Sequence, residues 1–260
     1  MNFDLPELTA ETPAGVLCQV KVSDLKPTQN AVGFDEVNDK IARYSAKSKD
    51  DLKDYLLVHP VPVVIGNDGK FYLTDHHHLA NALWKTAEGE NEAGIDTGNV
   101  RVVVMVQHNR AGLKGYHFWK AMQEHRLVYL FDNYGGGPIR PKDLCGHIKD
   151  LANDPYRSLA WEVRTRYGYG KSPHAFAEFL WANFFRIRIV SWPWKLIGAA
   201  LLGIGLSVLE WNFNAESPLS NELYPAGGIF GTALGRGLQQ AFDTLGTYLV
   251  SIFCILVGLV

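Results

Sequence analysis

The stretch Val61–Leu83, VPVVIGNDGKFYLTDHHHLANAL, decides the fold of this chain. Val61–Ile65 is short, apolar and β-branched, and Lys70–Leu73 alternates in polarity, so both predict strands. The four residues between them, Gly66–Gly69, have the composition of a tight turn. Apolar residues then recur at helical spacing over Leu79–Leu83. The stretch is therefore predicted to be a β-hairpin that leads through a sharp bend into a helix.

The bend, Thr74-Asp75-His76-His77-His78, is the candidate binding site. We expect Thr74 or Asp75 to cap the helix with its side chain. A helix N-terminus presents unpaired backbone N–H groups and a partial positive charge, so three imidazoles placed there predict an anion site, most plausibly for phosphate. A polar bend with no ligand is one alternative. A metal site is another, although consecutive residues seldom converge on one ion.

Composition divides the chain into two parts. Hydrophobic residues make up 47% and charged residues 20% of the whole, but nearly all the charges precede Leu196. Acidic and basic residues almost balance in that first part, so net charge does not support a nucleic-acid partner. The three cysteines are far apart and predict no disulfide framework, which fits a reducing cytosol. The first fifteen residues predict no signal peptide.

The first part predicts an α+β fold, with strands early and helices late. We expect a disordered lead-in over residues 1–15 and a domain over 16–188, made of an α/β core (16–131) and a helical extension (142–188). The predicted strands cover residues 16–22, 61–65, 70–73, 100–106 and 127–131. The predicted helices include residues 33–44, 115–125, 142–152, 158–166 and 175–188.

Residues 189–260 are predicted to form a membrane segment with two spans. Leu196–Leu209 contains no charge and, extended back to Ile189, is long enough to cross a bilayer. Thr244–Val260 is a second uncharged run. The alternative is a buried helical pair in a soluble protein. The second run reaches the last residue without a polar anchor, so a truncated or fused reading frame is also expected.

The charges around the first predicted span indicate its orientation. Arg186, Arg188 and Lys195 lie before its uncharged part, and the acidic loop Glu210–Glu222 follows it. By the positive-inside rule, the first part of the chain is expected in the cytoplasm, associated with the inner membrane through its tail.

Several separated motifs follow one another in a recognisable order. They are Pro27-Thr28-Gln29, Val32-Gly33, the stretch 61–83, DPYRSLA at 154–160 and FAEFLWA at 176–182. Over about residues 15–190 they resemble the ParB-like nuclease family of the ParB/sulfiredoxin superfamily. The resemblance implies a mixed sheet with helices and a helix N-terminus, here Thr74–Leu79, that binds phosphate or nucleotide. Activities differ within the superfamily, so the fold does not fix the reaction.

The resemblance implies phosphodiester cleavage or phosphoryl transfer at Asp75–His78. His77 is the expected acid/base, and Asp75 would orient it or bind Mg²⁺ carried by a nucleotide, with no resident metal. Lys26 and Gln29 are expected to form the opposite wall. Thr74, His76, His78 and Arg157 complete the predicted binding set. The expected partner is a nucleotide or phosphorylated small molecule; the alternative function is a non-catalytic nucleotide switch or interaction module anchored by the tail.

The sequence also departs from the superfamily pattern. Leu79 stands where related branches place an arginine, and Gln29 stands where the serine-kinase branch places a catalytic glutamate. Arg157 is expected mainly to support packing by pairing with Glu162 or Glu178. The tail is similar to the first membrane spans of FtsK-type DNA translocases, but the chain has no GxxxxGK[ST] motor motif.

Overall fold

The computed structural model describes residues 1–66, 68–172, 175–214 and 227–258, without the side chains of residues 190, 191 and 214. The chain forms two compact units, Met1–Phe185 and Arg186–Val260, called the first and second unit. Residue 67 of the predicted turn and most of the predicted acidic loop, from residue 215 on, lie outside the described residues.

Within the described residues the chain has seven strands and seven α-helices. The strands are β1 (Leu17–Lys21), β2 (Leu25–Pro27), β3 (Ala31–Val32), β4 (Val61–Ile65), β5 (Phe71–Leu73), β6 (Arg101–Asn109) and β7 (Ala152–Asn153). The helices are α1 (Phe34–Ser45), α2 (Lys49–Leu57), α3 (His77–Glu88), α4 (Tyr116–Glu124), α5 (Pro155–Thr165), α6 (Ala177–Asn214) and α7 (Gly228–Gly258). The predicted α+β class is confirmed.

The central sheet of the first unit is mixed, in the order β1-β6-β4-β5-β2. The hairpin of β4 and β5 is antiparallel, whereas β4 pairs in parallel with β6 and β5 in parallel with β2. β4 is buried along almost its whole length, which explains its continuous apolar sequence. Because β5 lies inside the sheet, the bend that follows it and the start of α3 are held by a rigid frame.

The first residues of the chain are ordered, which corrects the predicted lead-in. Phe3 and Leu8 belong to the main hydrophobic core. The side chain of Gln19, in β1, accepts a hydrogen bond from the N–H of Phe3 and donates one to the carbonyl of Leu5. Two buried apolar side chains in a polar stretch are too few to produce a periodic signal, so the sequence pattern alone did not predict this packing.

Two further predicted elements are absent from the described residues. Residues 127–131 form no strand, because the N–H of Tyr129 bonds to the carbonyl of Thr28 in a loop and not to a neighbouring strand. Residues 142–152 form no α-helix but two short 3₁₀ turns, Pro141–Asp143 and Ile148–Asp150, followed by the start of β7. The side chains of Asn30 and Asn81 donate hydrogen bonds to backbone carbonyls of these turns.

The second unit contains helix α7 and the part of helix α6 from Arg186 onward. α6 and α7 are both long and apolar enough to cross a membrane, and only a small share of their most apolar windows is buried. A core helix of a soluble protein would be mostly buried, so this exposure favours the membrane alternative over the soluble helical pair. Helix α7 is interrupted at Asp243, where φ is 58° and ψ is 178°.

Glycines allow close helix packing within the second unit. A Cβ added at Gly235 would lie 2.2 Å from the ring of Trp211, and one at Gly205 would lie 2.8 Å from the carbonyl oxygen of Ser251. Close approach of backbones at small residues is the usual packing mode of helices in membranes. Both parts of α7, before and after Asp243, therefore pack against α6.

Candidate phosphate site

The start of α3 has an unusual backbone conformation. His76 is the N-cap residue and adopts the left-handed conformation, with φ 62° and ψ 27°. This conformation costs a residue with a Cβ about 1–2 kcal/mol. The sharp turn lets α3 begin at His77, shortly after β5 ends at Leu73.

The helix is not capped by a side chain, which corrects the expectation for Thr74 and Asp75. The hydroxyl of Thr74 donates to the side chain of Gln107, at 2.7 Å, and its N–H donates to the carbonyl of Pro62. Oδ1 of Asp75 accepts a hydrogen bond from the N–H of His76. Among the described residues, the N–H groups of His77, His78 and Leu79 have no acceptor.

His77 and His78 are buried hydrogen-bond acceptors. Nε2 of His77 accepts from the N–H of Thr28 at 3.1 Å, and Nε2 of His78 accepts from the N–H of Gly33 at 3.0 Å. Both rings are therefore unprotonated at Nε2. Burial, the largest cause, lowers the pKa of His77 to about 3 and that of His78 well below its ordinary value. These imidazoles fix two loops to α3, and neither supplies positive charge near neutral pH.

His78 also lies 3.7 Å from a carboxylate oxygen of Glu36. This contact is not an ion pair at neutral pH, because the same Nε2 accepts the N–H of Gly33 and because Arg157 and Lys40 add to the effect of burial on the pKa of His78. Glu36 pairs instead with Lys40, at 3.4 Å.

A cavity of about 660 Å³, called the α3 cavity, opens at the start of α3 and is formed within the first unit. Its volume is in the range of small-molecule sites. Its lining includes five cationic side chains and three carboxylates. The cations are Lys40, Arg126, Arg157, Arg164 and Lys171; the carboxylates are Glu36, Asp75 and Glu178. Two of the carboxylates are engaged by cations of the same wall, so the cavity carries an excess of positive charge.

Arg157 is the most buried of these cations, with 4% of its surface exposed. Its Nη2 donates to Glu178 at 2.7 Å, and its guanidinium lies over the ring of Phe179 at 4.5 Å. The support role expected from the sequence is therefore present. Its Nε and Nη1, however, are buried without a hydrogen-bond partner. A buried guanidinium with two free donors is costly unless a ligand accepts from them.

The structure brings six of the predicted site residues to the α3 cavity and leaves two outside its lining. The six are Gln29, Thr74, Asp75, His76, His78 and Arg157. His77 is too deeply buried, with 2% of its surface exposed. Lys26 donates its ammonium hydrogen to the carbonyl of Gly146 at 2.9 Å, so it does not form the expected wall. Gln29 lines the cavity, but its Nε2 donates to the carbonyl of Ala31.

The cations that the sequence did not predict are spread along the chain, two in helices and two in loops. Lys40 lies in α1, Arg126 follows α4, Arg164 ends α5 and Lys171 follows it. In the sequence each is an ordinary surface charge, and no spacing rule groups them. Arg164 and Arg157, one on each side of Glu178, are both on α5, and their i, i+7 separation is the one signal that could have indicated a shared face. Among the described residues no group of three His, Cys, Asp or Glu side chains could hold a metal ion.

Two family models match parts of the chain. Residues 18–187 match the family described as "Putative ParB-like nuclease". The chain belongs to this family. Residues 171–260 match the 4TM region of the DNA translocases FtsK and SpoIIIE, so both resemblances expected from the sequence are confirmed.

One solved structure extends the comparison. The crystal structure of protein Atu1540 from Agrobacterium tumefaciens is 36% identical in sequence, with a TM-score of 0.52 over 66% of this chain and 80% of that one. No curated protein matches the chain. The first unit therefore belongs to the ParB-like nuclease family, and the α3 cavity lies within this unit.

Proposed function

We propose that the first unit binds the phosphate group of a nucleotide or of another phosphorylated molecule in the α3 cavity, and that it cleaves a phosphodiester bond or transfers a phosphoryl group there. The observation that carries this proposal is Arg157, buried in the cavity wall with two donors that no described residue satisfies. The name of the family, a ParB-like nuclease, supports phosphodiester chemistry.

The backbone at the start of α3 supports the same ligand. The N–H groups of His77–Leu79 have no acceptor among the described residues, and the helix dipole adds positive potential there. A phosphate has enough acceptor oxygens to take hydrogen bonds from these N–H groups and from Arg157 together. Arg157, from α5, would thus supply the guanidinium that the superfamily pattern places at Leu79.

The acid/base role expected for His77 passes to His76 in this proposal. His77 cannot give up its acceptor position without leaving the N–H of Thr28 unsatisfied. His76 lines the cavity, and its Nδ1 is buried without a partner. Burial is the largest cause that lowers the pKa of His76, so its ring is neutral near pH 7 and can accept a proton. Asp75, beside it, partly offsets this effect and would stabilise the protonated ring.

A Mg²⁺ ion fits this cavity only when a phosphate brings it. Glu178 is engaged by Arg157 and Arg164, and Glu36 by Lys40, which leaves Asp75 as the carboxylate available to a metal. One carboxylate together with phosphate oxygens and water is a common Mg²⁺ environment. Bound in this way, the ion would neutralise phosphate charge.

The second unit would attach the domain to a membrane. The exposed apolar surface of α6 and α7 and the match to the 4TM region support this role. We propose further that this membrane is the inner membrane and that the first unit lies in the cytoplasm, because Arg186, Arg188 and Lys195 precede the uncharged part of the first span.

The test uses the full chain, purified in detergent, and measures its thermal unfolding with inorganic phosphate, pyrophosphate and nucleotides, with and without Mg²⁺. A ligand at 100 times its dissociation constant adds about 2.7 kcal/mol to stability. We expect stabilisation that is lost in Arg157→Lys, which keeps the charge but lacks the fork of donors. Arg166→Lys, on the exposed end of the same helix, is the matched control.

Turnover separates the two forms of the proposal. Hydrolysis of a phosphodiester that is lost in His76→Gly, with phosphate binding retained, supports catalysis. Binding without product in the unmodified protein supports the non-catalytic switch. The proposal fails if none of the phosphate compounds, at millimolar concentration, stabilises the protein.

A further inference from the structure

A second cavity of about 750 Å³ lies next to the α3 cavity in the first unit. The two share lining residues Arg126, Ala175 and Phe176. The second cavity, called the aromatic cavity, is different in character: Tyr129, Phe131 and Phe176 line it, and most of its surface is apolar. A polar, cationic cavity thus adjoins an aromatic one.

The aromatic rings of this region are stacked on one another. Tyr129 stacks on Phe131 with ring centroids 4.6 Å apart and on Phe179 with centroids 4.0 Å apart. Phe179 in turn contacts the guanidinium of Arg157. The aromatic wall and the buried cation of the α3 cavity therefore belong to one packed cluster.

The backbone ties the two cavities together a second time. The N–H of Tyr129 donates to the carbonyl of Thr28, and the N–H of Thr28 donates to His77 at the start of α3. Because Thr28 is fully buried and bonded on both sides, the distance between aromatic wall and helix start is fixed. A ligand that reaches both would meet a preformed site.

Arg126 stands where the cavities meet and has a backbone conformation that arginine rarely adopts. Its φ is 55°, in the left-handed position that ends α4, where glycine or asparagine is favoured. Hydrogen bonds of the helix end hold this conformation, since the N–H of Leu127 donates to the carbonyl of Met122 at 2.8 Å. A guanidinium at this junction can stack on a ring or bind a phosphate.

We propose that the aromatic cavity receives the nucleobase of the ligand whose phosphate lies at the start of α3. This inference rests on the proposed phosphate site and names its ligand class as a nucleoside phosphate. The base packs against Phe131 and Phe176, because both faces of the Tyr129 ring are already covered by Phe131 and Phe179. Gln123, Arg126 and Arg140, which also line this cavity, supply hydrogen-bonding groups. The base comes from a free nucleotide or from the end of a single nucleic-acid strand.

The experiment compares ligands with and without a base, by calorimetric titration of the full chain in detergent. The ligands are pyrophosphate, ribose 5-phosphate, AMP and a tetrathymidylate with a 5′-phosphate. One base–aromatic stack is worth about 1–3 kcal/mol, so AMP or the tetranucleotide should bind at least about fivefold more tightly than ribose 5-phosphate. Which of the two gains more identifies the source of the base.

Substitutions in the aromatic cavity test whether the base binds there. Phe131→Ala and the milder Phe131→Leu should remove the advantage of the base and leave pyrophosphate binding unchanged. Tyr134→Ala, which removes an exposed ring from the neighbouring loop, is the matched control and should keep it. Equal affinity for AMP, the tetranucleotide and ribose 5-phosphate would overturn the inference while the phosphate site stands. Absence of binding by every phosphate compound would overturn both.

Discussion

The two units of this chain use buried and exposed surface in opposite ways. In the first unit apolar side chains are buried and buried polar groups such as His77 and Thr28 bond to each other. In the second unit large apolar side chains are exposed, among them Trp194 and Leu249. The first arrangement is stable in water, and the second is suited to lipid. Whole-chain composition averages over both and describes neither.

Acid should give the largest difference in stability between the two units. Below pH 6.5, the ordinary pKa of histidine, the unfolded chain binds protons that the folded chain excludes from His77 and His78. Stability of the first unit is therefore complete above pH 6.5 and falls as the pH drops, until about pH 3 for His77. The loss for His77 is about 1.4 kcal/mol per pH unit, or roughly 2 kcal/mol between pH 6.5 and 5, and His78 adds a further loss in the same direction.

Denaturant unfolding of the full chain in detergent at several pH values measures this loss. His77→Gln should reduce the slope of stability against pH, whereas His117→Gln, at an exposed position, should leave it unchanged. Helical signal from the second unit should persist through the same range, because its apolar helices carry few titratable groups. Equal slopes for the unmodified chain and His77→Gln would contradict the assignment of His77 as a buried neutral acceptor.

A charge introduced at an exposed apolar position tests whether lipid or water surrounds that surface in each unit. Leu249→Lys in α7 should cost about 3 kcal/mol if that surface contacts lipid. Val58→Lys, at an equally exposed apolar position of the first unit, should change stability by less than about 0.5 kcal/mol. Membrane retention of the expressed chain after alkaline extraction reports the first effect, and denaturant unfolding the second. If Leu249→Lys leaves membrane retention intact, the lipid assignment of α7 is wrong.

The smallest expected effect concerns His76. Because its φ is positive, His76→Gly should raise stability by up to about 1 kcal/mol, unlike most substitutions by glycine inside elements. His59→Gly, on another wall of the cavity and at a residue outside the left-handed region, is the control and should not stabilise. Thermal unfolding without ligand measures both. A loss of stability in His76→Gly would mean that this histidine serves the fold, as His77 and His78 do.

Local sequence determined the elements around the bend. The apolar run of β4, the alternation of β5 and the helical spacing of α3 each lie within a few residues, and all three were predicted correctly. The predictions of secondary structure were wrong where the hydrogen-bond partners of a segment are distant in the sequence. Residues 142–152 have a helical pattern, but Gly146 and hydrogen bonds from Asn30 and Asn81 give turns instead. Local propensity is weak enough for such contacts to override it.

The site shows the same division more sharply. The sequence by itself determined that a helix begins after the hairpin with three histidines, and that the tail contains two long apolar runs. Only the tertiary structure decided that His77 and His78 hold neighbouring loops, because Thr28, after β2, and Gly33, before α1, donate their N–H groups to these two rings. It also brought Arg157 to α3 from the far end of the unit. Spacing along a chain predicts which residues share a helix face, whereas burial and hydrogen-bond partners depend on segments that meet only after folding.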